Sequence, residues 1–428
     1  MSRSLVLFSL LLVPVALRGQ NDPTQPPAAI VWNSRQTLDC KGQNNEYWIH
    51  SVAFSRDGRW LAIAGEGYET RGQPGGRYNT GGDVKLWNLH TGKEAACFRM
   101  LANDRGGYYL GAVHAVLFAP DSKTLYAGGR GYTEPGSIGE VCAFDLKTFQ
   151  QTARFRNRMS WVNGMAISPD GKTLAVAGRV RTLPRPQGAE WELEGAVNVW
   201  DLTTGQEGAL LAKGPALIGT GGIAFSPDGK TLAWLEEATF NCEGAAVLWD
   251  VKQSKEIARL PGGGWGNRKG AMRMLSFTPD GKKIAVAWDD PPTGPRKDGP
   301  RHFGYIQMID AATGKVENKL LEPTPAEVAH GKSRQDGMIY GVCFSVAFSP
   351  EGRYLAASGD GTDPLRGGLR LLDQRTNKEV QLSGHRDAIT CVEFCPEGLL
   401  LASGSKDGTV KLWEKKRVPL GPMAIPRQ

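Results

Sequence analysis

Catalytic signatures are missing from this chain. It has no GxSxG, HExxH, CxxC or phosphate-loop pattern, so the common nucleophile, zinc-hydrolase, redox and nucleotide readings have no starting point. Histidine is scarce: His50, His90, His114, His302, His330 and His385 are scattered, with no pair at metal-ligand spacing. Asp289 and Asp290 with His302 come nearest to a metal set, and a solvated loop explains them as well. Gly72-Gln73-Pro74-Gly75-Gly76 is not followed by a helix start, so it does not cradle phosphate. No metal, cofactor or catalytic residue is therefore expected. Cysteine is odd in number, with Cys40, Cys97, Cys142, Cys242, Cys343, Cys391 and Cys395, so the thiols cannot all pair within one chain. Most lie in apolar runs and read as small packing groups; Cys242, in a loop, is the candidate reactive thiol.

Long apolar runs are absent too. Leu5 to Leu17 spans 13 residues and contains Pro14, too short for an ordinary membrane span. Preceded by Arg3 and followed by small residues at Ala16 and Gly19, it reads as a cleaved export signal over residues 1–19. The mature protein is then expected outside the cytoplasm, periplasmic or secreted, with no transmembrane anchor. Residues 20–29 (QNDPTQPPAA) form a Pro-rich linker. The formal charge of +7 falls to +5 once Arg3 and Arg18 are removed. That is modest for so long a chain, and no basic track with interleaved aromatics accompanies it, so nucleic-acid binding is disfavoured.

What the chain does have is repetition. A turn recurs as Ser55-Arg56-Asp57-Gly58, Pro120-Asp121-Ser122, Ser168-Pro169-Asp170-Gly171, Ser226-Pro227-Asp228-Gly229, Pro279-Asp280-Gly281, Ser349-Pro350-Glu351-Gly352 and Pro396-Glu397-Gly398. An alternating apolar run precedes each turn, and two more short runs follow. The third ends at Trp87, Phe144, Trp200, Trp249, Ile309, Leu372 or Trp413. Turns such as Thr203-Thr204-Gly205 then start a fourth run. Period-2 runs broken by Gly, Pro and Asp predict strands and hairpins. Seven such units predict an all-β, seven-bladed β-propeller of four-stranded antiparallel blades over residues 30–417. The seventh unit supplies three strands, then runs into Val418-Pro419, poor strand material that opens a tail over 418–428. Gln36 to Cys40 is expected to supply its outer strand, so that an N-terminal strand closes the ring.

The last unit, 382–414, reads LSGHRDAITCVEFCPEGLLLASGSKDGTVKLWE and resembles a WD40 repeat. The resemblance implies a structural set of His385, Ser403 (or Ser405), Asp407 and Trp413, joined by buried hydrogen bonds. Elsewhere it weakens: where the seventh unit has Gly-His, the first has Asn45, the second Tyr109 and the third Arg158. The other blades are expected to rely on apolar packing. With the export signal, such divergent blades look like bacterial envelope or secreted WD40 proteins.

The spacing between turn acids exceeds the usual ~40–45 residues. The extra residues fall at Gly65–Gly82, Gly128–Gly139, Gly178–Gly195, Leu235–Gly244, Trp288–Gly304 and Gly359–Gly367. All belong to turns on one face, which makes that face the expected recognition surface. In the family, the start of the inner strand lies at the rim of the central opening. Tyr47 and Trp48 stand there, and Trp161 holds the position of Trp48 in the third unit. Tyr109, Trp265 and Tyr340 lie in nearby links. The expected function is a non-catalytic scaffold binding a protein or peptide through these aromatics. The alternative is a propeller enzyme, or a glycan or polyanion binder, using the same face.

Overall fold

The computed structural model describes residues 28–41, 46–70, 77–99, 111–133, 136–156, 159–181, 193–214, 217–237, 244–261, 264–265, 268–269, 271–290, 303–320, 343–359 and 368–419. Chain contacts divide it into a unit of 32–415 and a unit of 1–31 with 416–428. Within the latter, the described residues are strand ends only. The larger unit is a seven-bladed propeller. Six antiparallel sheets of four strands follow in chain order over 46–99, 112–156, 159–214, 217–261, 271–320 and 343–382. The seventh blade joins Ile389–Phe394, Leu400–Ser405 and Thr409–Pro419 to the N-terminal strand Ala28–Asp39. This closes the ring with a strand longer than the expected Gln36–Cys40. Its neighbour runs on through Val418 and Pro419, which the sequence assigned to the tail. Proline is tolerated at such a strand end.

The first strand of each blade packs on the first strand of the next, and Ile389–Phe394 meets Glu46–Phe54. Second strands are covered on both faces, so they read as continuous apolar runs. Leu61-Ala62-Ile63-Ala64 and Leu174-Ala175-Val176-Ala177 are all buried. Each fully buried Leu, Ile or Val contributes about 1.5–3 kcal/mol. Clusters such as Leu235, Leu248, Phe277 and Val286 span two blades.

The recurring turn is built by its own side chains. Ser168 Oγ donates to Asp170 Oδ1 (2.6 Å), which also accepts from Lys172 N (3.0 Å), and Thr173 N donates to Ser168 Oγ (2.9 Å). The same pattern recurs at Ser55/Asp57, Ser226/Asp228 and Thr278/Asp280. Gly171 sits at φ 73°, where a side chain would be strained. These turns are tight, as the sequence indicates.

The opposite turns differ from expectation. Much of the extra sequence is paired strand rather than loop: Trp60–Thr70 pairs with Arg77–Asn88 out to Thr70 and Arg77. Thr124–Thr133 pairs with Gly136–Asp145 out to Thr133 and Gly136. The additions over Gly65–Gly82 and Gly128–Gly139 thus extend the blades as hairpins. On the outer strand of blade 2, Arg154 Nε pairs with the buried Glu140 carboxylate at 3.3 Å.

Glu393 on the innermost strand of blade 7 is a carboxyl placed against a neighbour. Its Oε1 accepts from Phe54 N of blade 1 at 3.4 Å, and burial pushes its pKa from 4.5 up to about 8. The unfolded chain ionises this group near pH 4.5, while the folded one resists up to about 8. Wild-type stability therefore falls across that window as pH rises. The variant Glu393→Gln is expected to match wild type near pH 4 and exceed it by about 2 kcal/mol above pH 8, a value discounted for partial exposure. Urea midpoints at the two pH values measure this. Equal midpoints above pH 8 would mean the carboxyl reaches water.

Candidate functional site

Each inner strand carries a bulge near its start. Register slips between Ile49 and Ser51, Val113 and Ala115, Val162 and Gly164, and Ile389 and Cys391 leave His50, His114, Asn163 and Thr390 as the extra residues. The facing second strand admits the bulge because it has glycine there. A Cβ on Gly129 would lie 2.0 Å from Ala112 O, and one on Gly178 2.0 Å from Trp161 O. Bulges re-aim side chains, and here two of them bring histidines of different blades together.

The His50 and His114 rings lie 5.0 Å apart between centroids. His50 Nε2 is 2.9 Å from Glu66 Oε1, and the same oxygen accepts from the Tyr68 hydroxyl at 2.6 Å. Burial raises the Glu66 pKa, but the His50 and Tyr68 hydrogen bonds outweigh it and hold the carboxyl at about 2. Burial and the charges of His50, Arg130 and Arg179 push His114 down to about 3. Near neutral pH, Glu66 is thus a fixed anion and His114 an uncharged imidazole. Neither is poised for proton transfer, which wants a pKa near the working pH.

Next to this cluster stands Trp161, half-buried. The guanidinium carbons of Arg130 and Arg179 lie 4.9 and 4.8 Å from its ring centroid. Trp48, at the matching position in blade 1, packs on the tilted ring of Tyr68 (4.8 Å, 52° between planes) and carries Lys406 Nζ of blade 7 at 5.1 Å. Lys406 also approaches Phe344 at 5.6 Å. A cation from one blade thus lies over the aromatic that opens the next.

These cations belong to a ring. Nine residues after each turn acid the sequence has Glu66, Arg130, Arg179, Glu237, Asp289, Asp360 and Lys406. Trp48 faces Glu66 across the ladder, Ala112 faces Arg130, Trp161 faces Arg179, Leu217 faces Glu237 and Ala271 faces Asp289. In the sequence this repeat position is charged in every unit, basic in units 2, 3 and 7 and acidic in the rest. Asp360 lies outside the described residues.

Of the rim aromatics expected from sequence, Trp48 and Trp161 keep part of their side chains exposed. Tyr47 does not: it is 5 % exposed, belongs to the core of blades 1 and 7, and its hydroxyl donates to the Asp83 carboxylate. Strand alternation turns it away from the side that Trp48 takes. It is removed from the contact set. Trp265 lies in a two-stranded ribbon, paired with Arg268. Tyr109, Tyr340, Cys242 and His302 lie outside the described residues.

In blade 7 the four residues singled out by sequence meet. Trp413 Nε1 donates to Ser403 Oγ (2.9 Å), Ser403 Oγ lies 2.8 Å from His385 Nε2, and His385 Nδ1 lies 3.0 Å from Asp407 Oδ2. An indole only donates and a carboxylate only accepts. The protons therefore run one way: Ser403 donates to Nε2 and His385 donates from Nδ1. Ser405, the other candidate, instead donates to Asp387 O at 3.0 Å. The WD domain, G-beta repeat family model matches residues 32–88, 331–362 and 376–414. Those segments match WD40 repeats, and the fold they belong to is a seven-bladed β-propeller. It is 25% identical over 222 residues to a guanine nucleotide-binding protein subunit beta of Arabidopsis thaliana, covering 50% of this chain and 49% of that protein. It is 23% identical over 349 residues to a periodic tryptophan protein 2 homolog of Dictyostelium discoideum, covering 77% and 30%. Protein groucho of Drosophila melanogaster is 22% identical over 320 residues, covering 72% and 33%. The chain thus spans about half the length of the first relative and a third of the others.

The WD40 set is confined to blade 7 for a visible reason. Ser403 faces Val392 across the ladder, and the same register places Ile63, Ala127, Val176, Trp234, Val286 and Ala357 at its position in the other blades. None offers a hydroxyl. Trp87 and Trp200 keep the tryptophan of the set, and their buried indole N–H groups have no partner. The His50–Glu66–His114 cluster was missed by motif reading because its members are far apart in sequence. A signal existed: His50 and His114 each stand seven residues before a turn acid, so aligning the repeats superimposes them.

Proposed function

We propose that this WD40 propeller is a non-catalytic interaction scaffold, exported from the cytoplasm in the manner of bacterial envelope proteins. On this reading it docks a protein or peptide partner on the face bearing Trp48 and Trp161. The observation that carries it is the pair itself: two half-buried indoles at one repeat position, each overlaid by a cation from the neighbouring blade. Trp and Arg are the residues most enriched at binding hot spots. Hairpins extending toward the same face, such as Tyr68–Glu69–Thr70 against Arg77–Tyr78–Asn79, add to the surface around them. Export rests on Arg3 and the apolar run Leu5 to Leu17.

Co-purification from the native host tests the site. The double variant Trp48→Ala, Trp161→Ala is expected to lose at least ten-fold of the partner recovered by wild type, at unchanged thermal midpoint. Truncating one central hot-spot aromatic typically costs about 2 kcal/mol or more. Equal recovery would remove this face. Immunolocalisation of the full chain, with cleavage mapped by N-terminal sequencing, tests export.

A further inference from the structure

We infer that His50 and His114 form an open binding site for a divalent transition-metal ion at the seam of blades 1 and 2. The two histidines are the extra residues of inner-strand bulges at one repeat position in adjacent blades. Their ring centroids lie 5.0 Å apart, with 59° between the planes. A metal–nitrogen bond of about 2.1 Å places an ion roughly 3.2 Å from the centre of each imidazole that ligates it. Centroids 5.0 Å apart then subtend roughly 100° at a shared ion, between the octahedral and tetrahedral angles. Parallel stacked rings would aim their lone pairs past each other, whereas rings tilted in this way are able to aim at one point.

The hydrogen bonding leaves the lone pairs that such an ion needs. Glu66 Oε1 lies 2.9 Å from His50 Nε2, and an ionised carboxylate only accepts. His50 therefore carries its proton on Nε2 and its lone pair on Nδ1. A carboxylate behind the ring is the usual support of a metal-binding histidine, fixing its tautomer and raising its basicity. The His114 Nδ1 is buried and has no hydrogen-bond partner, a penalty that coordination would remove. The His50 side chain is 21 % exposed, so a hydrated ion reaches the pair from its side. The Glu66 charge favours a cation there, while the guanidinium groups of Arg130 and Arg179, held over Trp161, oppose it. Among the described residues no three His, Cys, Asp or Glu side chains make a metal set, so water fills the remaining positions. Imidazole donors select Zn²⁺, Cu²⁺ or Ni²⁺ over Ca²⁺ and Mg²⁺. The site is independent of the docking partner proposed above.

Isothermal titration of the chelator-treated full chain with Zn²⁺ at neutral pH tests the site, with Co²⁺ as a spectroscopic probe of nitrogen ligation and Ca²⁺ as the contrast. One Zn²⁺ per chain is expected, together with a visible Co²⁺ absorption band and no binding of Ca²⁺. His114→Gln should abolish both signals. His50→Gln should do the same, and its partly exposed position keeps the test open if the first variant fails to fold. Glu66→Gln, which leaves both ligands and removes their support, should weaken Zn²⁺ by about 10–100-fold. His90→Gln, in an exposed turn, and His302→Gln, beside the Asp289-Asp290 pair in sequence, are the controls and should bind as wild type does. No saturable Zn²⁺ binding, binding that persists in both His50→Gln and His114→Gln, or binding lost only in His302→Gln would each overturn the inference.

Discussion

Replacing Asp407 with alanine is expected to destabilise the protein by about 3–5 kcal/mol, because it removes the acceptor of several charge-assisted hydrogen bonds and leaves the enclosed His385 donor unpaired. The carboxylate accepts from His385 Nδ1 (3.0 Å), Arg386 N (2.8 Å), Thr409 N (2.9 Å) and Thr409 Oγ1 (2.6 Å). Burial opposes its charge, yet the hydrogen bonds of His385 and Thr409 win and hold the carboxyl well below the usual range. Removing it strands the proton on His385, whose side chain is fully enclosed, and frees the whole relay back to Trp413. Chemical denaturation measures the loss. Asp407→Asn, which keeps an acceptor of the same shape, should cost less than half as much. A loss under about 1 kcal/mol for the alanine variant would show that water can replace the carboxylate.

Acid should weaken the fold in a window set by the blade 1–blade 2 cluster. His114 has an unfolded pKa of 6.5 and a folded value of about 3. Below pH 6.5 the unfolded chain therefore takes up a proton that the native protein refuses. Stability drops by about 1.4 kcal/mol per pH unit as pH falls from 6.5 toward 3. Glu66 adds to this lower down: its pKa falls from 4.5 to about 2 on folding, so its contribution is present above 4.5 and lost as pH falls to 2. The two are coupled, and together are worth about 4–6 kcal/mol between neutrality and pH 3. From about pH 5 to 6.5 the difference in slope of the urea midpoints between wild type and a His114 variant isolates the imidazole, because the opposing contribution of Glu393 is common to both. His114→Gln should flatten the curve in that window by close to one proton, while Glu66→Gln should alter it mainly below pH 5. An unchanged slope in His114→Gln would show that the ring is solvated.

The blade count, the tight turns and the closing strand were legible because each rests on local chemistry that repeats. A Ser-x-Asp-Gly turn bonds to itself wherever it occurs, and Trp413 signals its set through four residues within one hairpin pair. The extended hairpins were hidden by glycine. Gly65, Gly67, Gly128, Gly129 and Gly131 look like loop residues, yet they lie in paired strands, and the closest approaches at Gly129 and Gly178 explain two such glycines. Tyr47 was misplaced because it is adjacent to Trp48, and neighbours on a strand face opposite ways. The arginine pair and the histidine pair were illegible one unit at a time. They emerge only once the bulges set each repeat in register and packing brings successive blades face to face.

The closing strand also sets a clock. Thr37 Oγ1 accepts from Lys411 Nζ at 3.0 Å across 374 residues of chain. At ~5–20 residues per second, the ribosome needs roughly 20–75 s to deliver the second partner after the first. Throughout synthesis the earliest strand waits unmated, a ready template for stray β-pairing.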